Sequence, residues 1–322
     1  IGGDLILAPG VTKDVTLVDC VIQGNIRNYG TGEVRFEAPQ ITPESTATKP
    51  SEVYKPGATL DRTLEYGGKT VPIYRDRPLN VFSDVDFIWT GEENENQRRL
   101  EYLGGEFRTR YGIDVSSFQG EIDWDAVADD NIDFAMVRVG FRGTGTGSLN
   151  TDKYYEQNIR GAMRAGLETG VYFFAQAVTV EEAIEEAEYV ISLLDGLDIN
   201  GPVAYDWEMH DSTYRVYGTS PEMATACAVA FCQRIKDAGY TPMVYGGTYV
   251  TYMKYDQGAL ADYLSWYPEY KSEKSEKLCP TLVYHMDYWQ FSSTRAVAGI
   301  NGRVDMNCLL YTSPSPRDVE ES

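Results

Sequence analysis

From about Arg108 onward, short apolar runs alternate with amphipathic helical stretches, in the order that builds β/α units around a parallel sheet. The runs YGIDVS, FAMVRVG, GVYFFAQ, GPVAYDWE, PMVYGG, YLSWY and MDYWQF are the expected strands. Between them, Thr179 and Glu182 form a capping box that opens a helix running to about Leu197, with Ala183, Ala187, Val190, Ile191 and Leu194 as its apolar face. A second helix starts at Ser220, carries Pro221 at its first position and stops at Gly239. Strand and helix alternate repeatedly over roughly 200 residues, a spacing that fits a (β/α) barrel better than a bundle or a sandwich.

Outside this stretch the pattern is weaker. Residues 1–36 are short alternating segments broken by Gly, Asn and Pro, which predicts a β-rich fragment of an appended module. Residues 37–107 are expected to comprise a linker, rich in Pro, Ser and Thr between Pro39 and Pro56, and a mixed segment with one extended run, VFSDVDFIW. The chain begins at Ile1 without Met or a signal-type apolar segment, and is read as a fragment or processed form. Residues 308–322 open with CLLYTSPSPRD, which lacks a period and resembles a translated sequencing adapter; the native frame is expected to end near Asn307.

Composition removes several function classes. A net charge of −21 without a local basic cluster repels phosphate backbones, so nucleic acid is not an expected partner. No apolar window is long enough to span a membrane. The cysteines Cys20, Cys227, Cys232, Cys279 and Cys308 are too scattered for a disulfide framework, and with only His210 and His285 there is little on which to build a metal site or a serine triad. A metal held by Asp206, Glu208 and His210 needs all three side chains to converge and is not expected. The glycine cluster RGTGTGS, Arg142 to Ser148, fits no phosphate-binding pattern and reads as a loop. No cofactor is expected.

Carboxylates, by contrast, are abundant, and Pro202 to His210, PVAYDWEMH, is the most informative segment. In an extended strand Asp206 and Glu208 share one face while Tyr205 and Trp207 pack on the other. Neighbouring acids at a barrel mouth raise one another's protonation, so that one can donate a proton while another stays an anion, the division of labour that glycosidic cleavage needs. Asp114, at the end of the first strand, and Asp305, after the last strand-like run, are two further acids at comparable places. First and last strands of a closed barrel are neighbours, so all four acids are expected around one cavity.

GIDVSSFQGEIDW, FAMVRVGFRG, GVYFFAQA, the triplet D-W-E, WQFSS and GRVDMN resemble, in order and spacing, glycoside hydrolase family 25, lysozymes of the N-acetylmuramidase type. The resemblance covers residues 108–307. It implies an α/β chain in which a modified TIM-like (β/α) barrel catalytic domain follows the β-rich segment and linker, and hydrolysis of the β-1,4 bond between N-acetylmuramic acid and N-acetylglucosamine in peptidoglycan. It further implies that Glu208 is the general acid, that Asp206 stabilises charge on the substrate's 2-acetamido group, and that Asp114 and Asp305 shape and polarise the same subsite. Tyr172, Tyr245 and Trp266 match aromatics that line the groove in this family, and Gln290 is a further candidate for substrate contact. The implied partner is the peptidoglycan glycan strand, met by a monomeric, secreted or wall-associated enzyme of bacterial or phage origin. The alternatives are a chitinase-like or endo-N-acetylglucosaminidase activity, and a wall-binding barrel without turnover. Residues two apart on a strand lie about 6.6 Å apart, which suits either a retaining or an inverting outcome. Attack by the substrate's own acetamido oxygen is the expected route, because it needs no protein nucleophile.

Overall fold

The computed structural model of the protein describes residues 5–7, 12–13, 15–18, 26–28, 34–37, 48–91, 98–105, 107–272 and 274–312. These fall into two units, Ile1–Ala47 and Thr48–Ser322. The first contains β1 (Leu5–Leu7), β2 (Val15–Val18), β3 (Ile26–Asn28) and β4 (Val34–Glu37). Here β1 pairs in parallel with β3, and β2 with β4.

The second unit starts with α1 (Pro50–Val53), β5 (Leu60–Tyr66), β6 (Lys69–Tyr74), a 3-10 turn at Asp84–Asp86, β7 (Phe87–Thr90) and β8 (Arg99–Tyr102). β5–β6 and β7–β8 are antiparallel hairpins. The first turns at Gly67 and Gly68, whose φ values of 57° and 74° are costly for any residue with a Cβ. This segment, the mixed stretch that follows the expected linker, contributes to the main core. Ile73, Phe87 and Leu100 are buried in the main core, and Arg77, itself buried, donates to Gln257 Oε1 at 2.8 Å and to the Tyr263 carbonyl at 2.6 Å.

The remaining elements are β9 (Phe107–Val115), α2 (Trp124–Asp129), β10 (Phe134–Arg142), β11 (Leu149–Thr151), α3 (Tyr155–Arg164), β12 (Glu168–Ala175), α4 (Val180–Leu193), β13 (Val203–Trp207), α5 (Pro221–Asp237), β14 (Pro242–Tyr245), α6 (Thr248–Met253), β15 (Leu264–Pro268), β16 (Tyr288–Arg295) and β17 (Val304–Thr312). The strands close in the order β9-β10-β12-β13-β14-β15-β16-β17 and back to β9, with β11 added at the edge of β10. All ring pairings from β9 round to β16 are parallel, whereas β17 runs antiparallel to both β16 and β9. The fold is a modified TIM-like barrel.

Strand alternation sorts the core into an inside and an outside. Phe134, Met136, Ala204, Met243, Tyr245, Trp266 and Tyr288 fill the barrel interior. Ala135, Val137, Tyr205, Trp207 and Val244 point outward into the larger core under the helices. At Gly112 a Cβ would sit 2.3 Å from the ring of Phe134, its partner on the neighbouring strand β10, so that ring fills the interior over the glycine.

Two expectations about boundaries change. Beyond the last expected strand, MDYWQF, a further strand, β17, carries Asp305 and runs past Asn307, the expected end of the native frame, to Thr312, with register kept from Asp305↔Asp114 to Thr312↔Phe107; Cys308 and Leu310 are buried. The alternation of Met306, Cys308 and Leu310 outward and Asn307 and Leu309 inward is the period that the adapter-like string conceals. Residues 313–322 lie outside the described residues. The helix α4 ends at Leu193 rather than Leu197, and only half of the expected capping box forms. Thr179 Oγ1 accepts from Glu182 N at 3.2 Å, but the Glu182 carboxylate takes the Val178 amide at 2.8 Å. α5 follows its signals: Ser220 caps it and Gly239 takes the left-handed conformation just beyond.

Candidate active site

At the C-terminal ends of the parallel strands lies a cleft of about 890 Å³. Asp114, Tyr172, Asp206, Glu208, Tyr245, Trp266, Gln290 and Asp305 all line it, so the structure gathers every site residue expected from sequence around one space. Register explains how. Asp206 of β13 lies beside Tyr245 of β14, which lies beside Trp266 of β15; Gln290 of β16 lies beside Asn307 of β17, and Asp305 beside Asp114 of β9. Each inward-facing position at the mouth therefore contributes to one ring of side chains.

The electrostatics of that ring follow from burial. Asp206 is pushed well above the usual carboxylate range by desolvation, by the charges of Glu208 and Asp114, and by a hydrogen bond with the Glu208 side chain; Arg138 opposes the shift. Asp114 is also raised, first by burial and then by Asp305, although two amides work against this. Asp305 is raised to about 6 by burial and by Glu208. So Asp114, Asp206 and Asp305 retain protons at a pH where isolated acids have lost them. Asp206 Oδ1 is buried and has no hydrogen-bond partner among the described residues. Glu208 sits just past the end of β13 and is more open, its side chain 24% exposed, with Oε2 at 2.9 Å from His210 Nε2.

Asp114 is held by neutral donors. Gln290 Nε2 and Asn307 Nδ2 each donate to its Oδ2 at 2.8 Å. Gln290 Oε1 accepts from the hydroxyls of Tyr245 and Tyr270, both at 3.1 Å, and Asn307 Oδ1 accepts from Trp266 Nε1 at 2.8 Å. These bonds fix both amides with their NH₂ groups toward Asp114.

Against known proteins, the profile of glycosyl hydrolases family 25 matches residues 113–300. The chain belongs to this family. Among curated relatives, the family 25 chain is 26% identical over 197 residues to an autolytic lysozyme of Clostridium acetobutylicum, covering 61% of this chain and 54% of that protein. It is 27% identical over 201 residues to lysozyme M1 of Streptomyces globisporus, covering 61% and 66% respectively. Thus it spans about half to two thirds of the length of these relatives. Among solved structures, the spore cortex lytic enzyme SleM of Clostridium perfringens superposes with a TM-score of 0.54 at 22% identity, over 62% of this chain and 67% of that one. The modular autolysin LytC of Streptococcus pneumoniae gives 0.53 at 24% identity, over 77% and 58%. At such identities the two structures speak to the fold alone.

Several side chains of this family 25 hydrolase that sequence reasoning passed over take part in the site. Asn307 could have been found as the next inward position after Asp305 on a strand of period two. Tyr217, Tyr249 and Tyr270, which are 54%, 47% and 54% exposed, line the cleft with open ring faces, whereas Tyr245 and Trp266 are nearly buried and form its floor. Gln176, fully buried at the end of β12, donates through Nε2 to the Glu208 carbonyl at 2.8 Å. Its own amide donates to Glu186 Oε1 at 3.0 Å, and its carbonyl accepts from Arg215 at 2.8 Å. Glu186 is paired with Arg142 at 2.7 Å and Glu182 with Arg215 at 2.7 Å. The acidic run EEAIEEAE, which reads as a solvated helix face, therefore supplies part of the support for Glu208. We expect Gln176→Leu to lower kcat roughly tenfold with little change in KM, and to cost roughly 1–3 kcal/mol of stability through the carbonyl left unpaired; steady-state kinetics and denaturant titration of the purified variant check both.

Proposed function

We propose that this protein is an N-acetylmuramidase that cleaves the β-1,4 bond between N-acetylmuramic acid and N-acetylglucosamine in peptidoglycan, working outside the cytoplasmic membrane where that polymer lies. The observation that carries the reading is Asp206 Oδ1, a buried acceptor without a donor at the foot of an acid-lined cleft. A lone buried acceptor costs free energy until something donates to it. The amide N–H of a 2-acetamido sugar is such a donor. The names of the curated relatives, an autolytic lysozyme and lysozyme M1, point the same way.

In this reading Glu208, the more open of the two acids, gives its proton to the leaving glycosidic oxygen. Asp206, deep in the cleft and acting as a carboxylate, accepts the acetamido N–H, which turns the acetamido oxygen toward the anomeric carbon and stabilises the cyclic cation that forms. Asp114, oriented by Gln290 and Asn307, and Asp305 beside it add negative potential under the same sugar. Tyr172, Tyr245 and Trp266 form an aromatic floor, and the exposed rings of Tyr217, Tyr249 and Tyr270 offer faces on which sugars stack.

Mass spectrometry of the muropeptides released from purified peptidoglycan tests the bond specificity: reducing-end muramic acid is expected, and reducing-end glucosamine overturns the assignment. Because attack by the acetamido oxygen followed by water inverts the anomeric carbon twice, proton NMR of the first turnovers is expected to show net retention. Net inversion would require a water-attack route instead.

A further inference from the structure

The hairpin β5–β6 and α1, which precede the family 25 match, close a second cavity of about 400 Å³ against the start of α5 and the end of α6. Tyr54, Tyr74 and Tyr252 supply ring surface to it. Two ammonium groups converge there. Lys254 is only 8% exposed, and its Nζ donates to the Thr219 carbonyl at 2.6 Å. Lys69, from the hairpin turn, lines the same cavity; burial, and then the charge of Lys69, lower the pKa of Lys254. Among the described residues neither lysine forms an ion pair, in a chain whose net charge is −21. A nearly buried cation beside a like charge is unfavourable unless an anion joins it. The acids lining the cavity, Asp256 and Glu222, form no ion pair with either lysine among the described residues: Asp256 accepts from the amides of Gly57, Gly258 and Ala259, and Glu222 lies in the first turn of α5.

We propose that this cavity binds a short peptide carrying a free carboxylate and an amine, with Lys69 and Lys254 receiving the carboxylate, the tyrosine rings covering its aliphatic side chains, and Glu222 facing the amine. The peptide of this chemistry within reach of the cleft is the stem attached to muramic acid, so the inference rests on the muramidase reading. Reach is supported by α6. Thr248, Tyr249 and Val250 line the cleft, Thr251, Tyr252 and Met253 line the cavity, and at 1.5 Å per residue the two lie within about 10 Å along the helix. An extended peptide of four or five residues spans roughly 13–17 Å, enough to pass from one to the other.

The experiment has a binding arm and a turnover arm. Calorimetric titration of the full chain with a free stem pentapeptide is expected to show binding that Lys69→Gln weakens roughly three- to tenfold, the size of one partly desolvated charge contact. In turnover, Lys69→Gln and Lys254→Met are expected to raise KM by a similar factor on stem-bearing glycan while leaving kcat unchanged, and to change nothing on glycan stripped of its stems by an amidase. Lys69 is exposed, so its variant carries the test even if Lys254→Met folds poorly. The proposal is overturned if the parent does not bind the pentapeptide, if inorganic phosphate displaces it at equal concentration, or if KM moves equally on both glycans. Failure of the parent to cleave either glycan would count against the muramidase reading instead, with the binding arm still deciding the cavity.

Discussion

Glu208→Gln is expected to reduce peptidoglycan turnover by roughly a hundredfold or more, the usual contribution of a general acid, while the fold stays intact. The reasoning is local. Glutamine keeps the volume of glutamate, and its carbonyl oxygen can still accept from His210 Nε2, which lies 2.9 Å from Glu208 Oε2. The Glu208 backbone carbonyl remains held by Gln176, because that bond does not involve the replaced side chain. What is lost is the carboxyl at the open end of the acid ring; Asp114 and Asp206 are buried below it. The burden falls on kcat, with KM changed little, since the transferred proton matters in the transition state and not in binding. Dye release from labelled cell walls, together with circular dichroism, measures both halves. A variant that lyses walls as fast as the parent would remove Glu208 from the chemistry.

Much of this site is legible in the sequence because strands carry their facing in their spacing. Asp206 and Glu208 two apart, at the end of an apolar run bearing outward Tyr205 and Trp207, already place the acids at a barrel mouth. Closure of the barrel brings Asp305 near Asp114, although the direct pairing Asp305↔Asp114 comes from β17, a strand beyond the last run expected. Other parts leave little local trace. Asn307 and Gln290 are uncharged amides that reach Asp114 from 193 and 176 residues away, and no period or motif signals a contact so distant. Glu186 looks like one more surface acid until Arg142 is brought to it by packing of α4 on β10. The hairpin β5–β6 was marked by Gly67-Gly68 between extended runs, a turn signal diluted by the polar residues around it. The last strand was hidden for a different reason: its end reads as foreign sequence, yet alternate apolar residues suffice to pair it with β9.

Asp206→Asn should give a protein that is nearly inactive and, at neutral pH, more stable than its parent. Activity falls because an amide cannot supply the negative charge that steadies the acetamido cation, a loss expected at roughly a hundredfold or more in kcat. Stability rises because the four acids oppose one another in a buried ring. The sign follows from the raised pKa values. Asp305, at about 6 in the folded protein against 3.8 ordinarily, is protonated in both states below pH 4; between pH 4 and 6 the unfolded chain releases that proton while the folded one retains it. Folding stability contributed by the neutral acid is therefore complete below the unfolded value and is lost as pH climbs through the folded one. Asp114 and Asp206 are raised in the same direction by burial and by their neighbours, so the loss continues above pH 6. Removing the Asp206 charge relieves this, so the variant is expected to melt above the parent at pH 7. Thermal melts of parent and variant from pH 4 to pH 8 are expected to coincide at the acid end and separate as pH rises, the variant melting higher. If the gap were constant with pH, or the parent the more stable of the two at pH 7, the carboxylate at Asp206 would not be a buried, repelled charge, and the electrostatic account of the acid ring would fall with it.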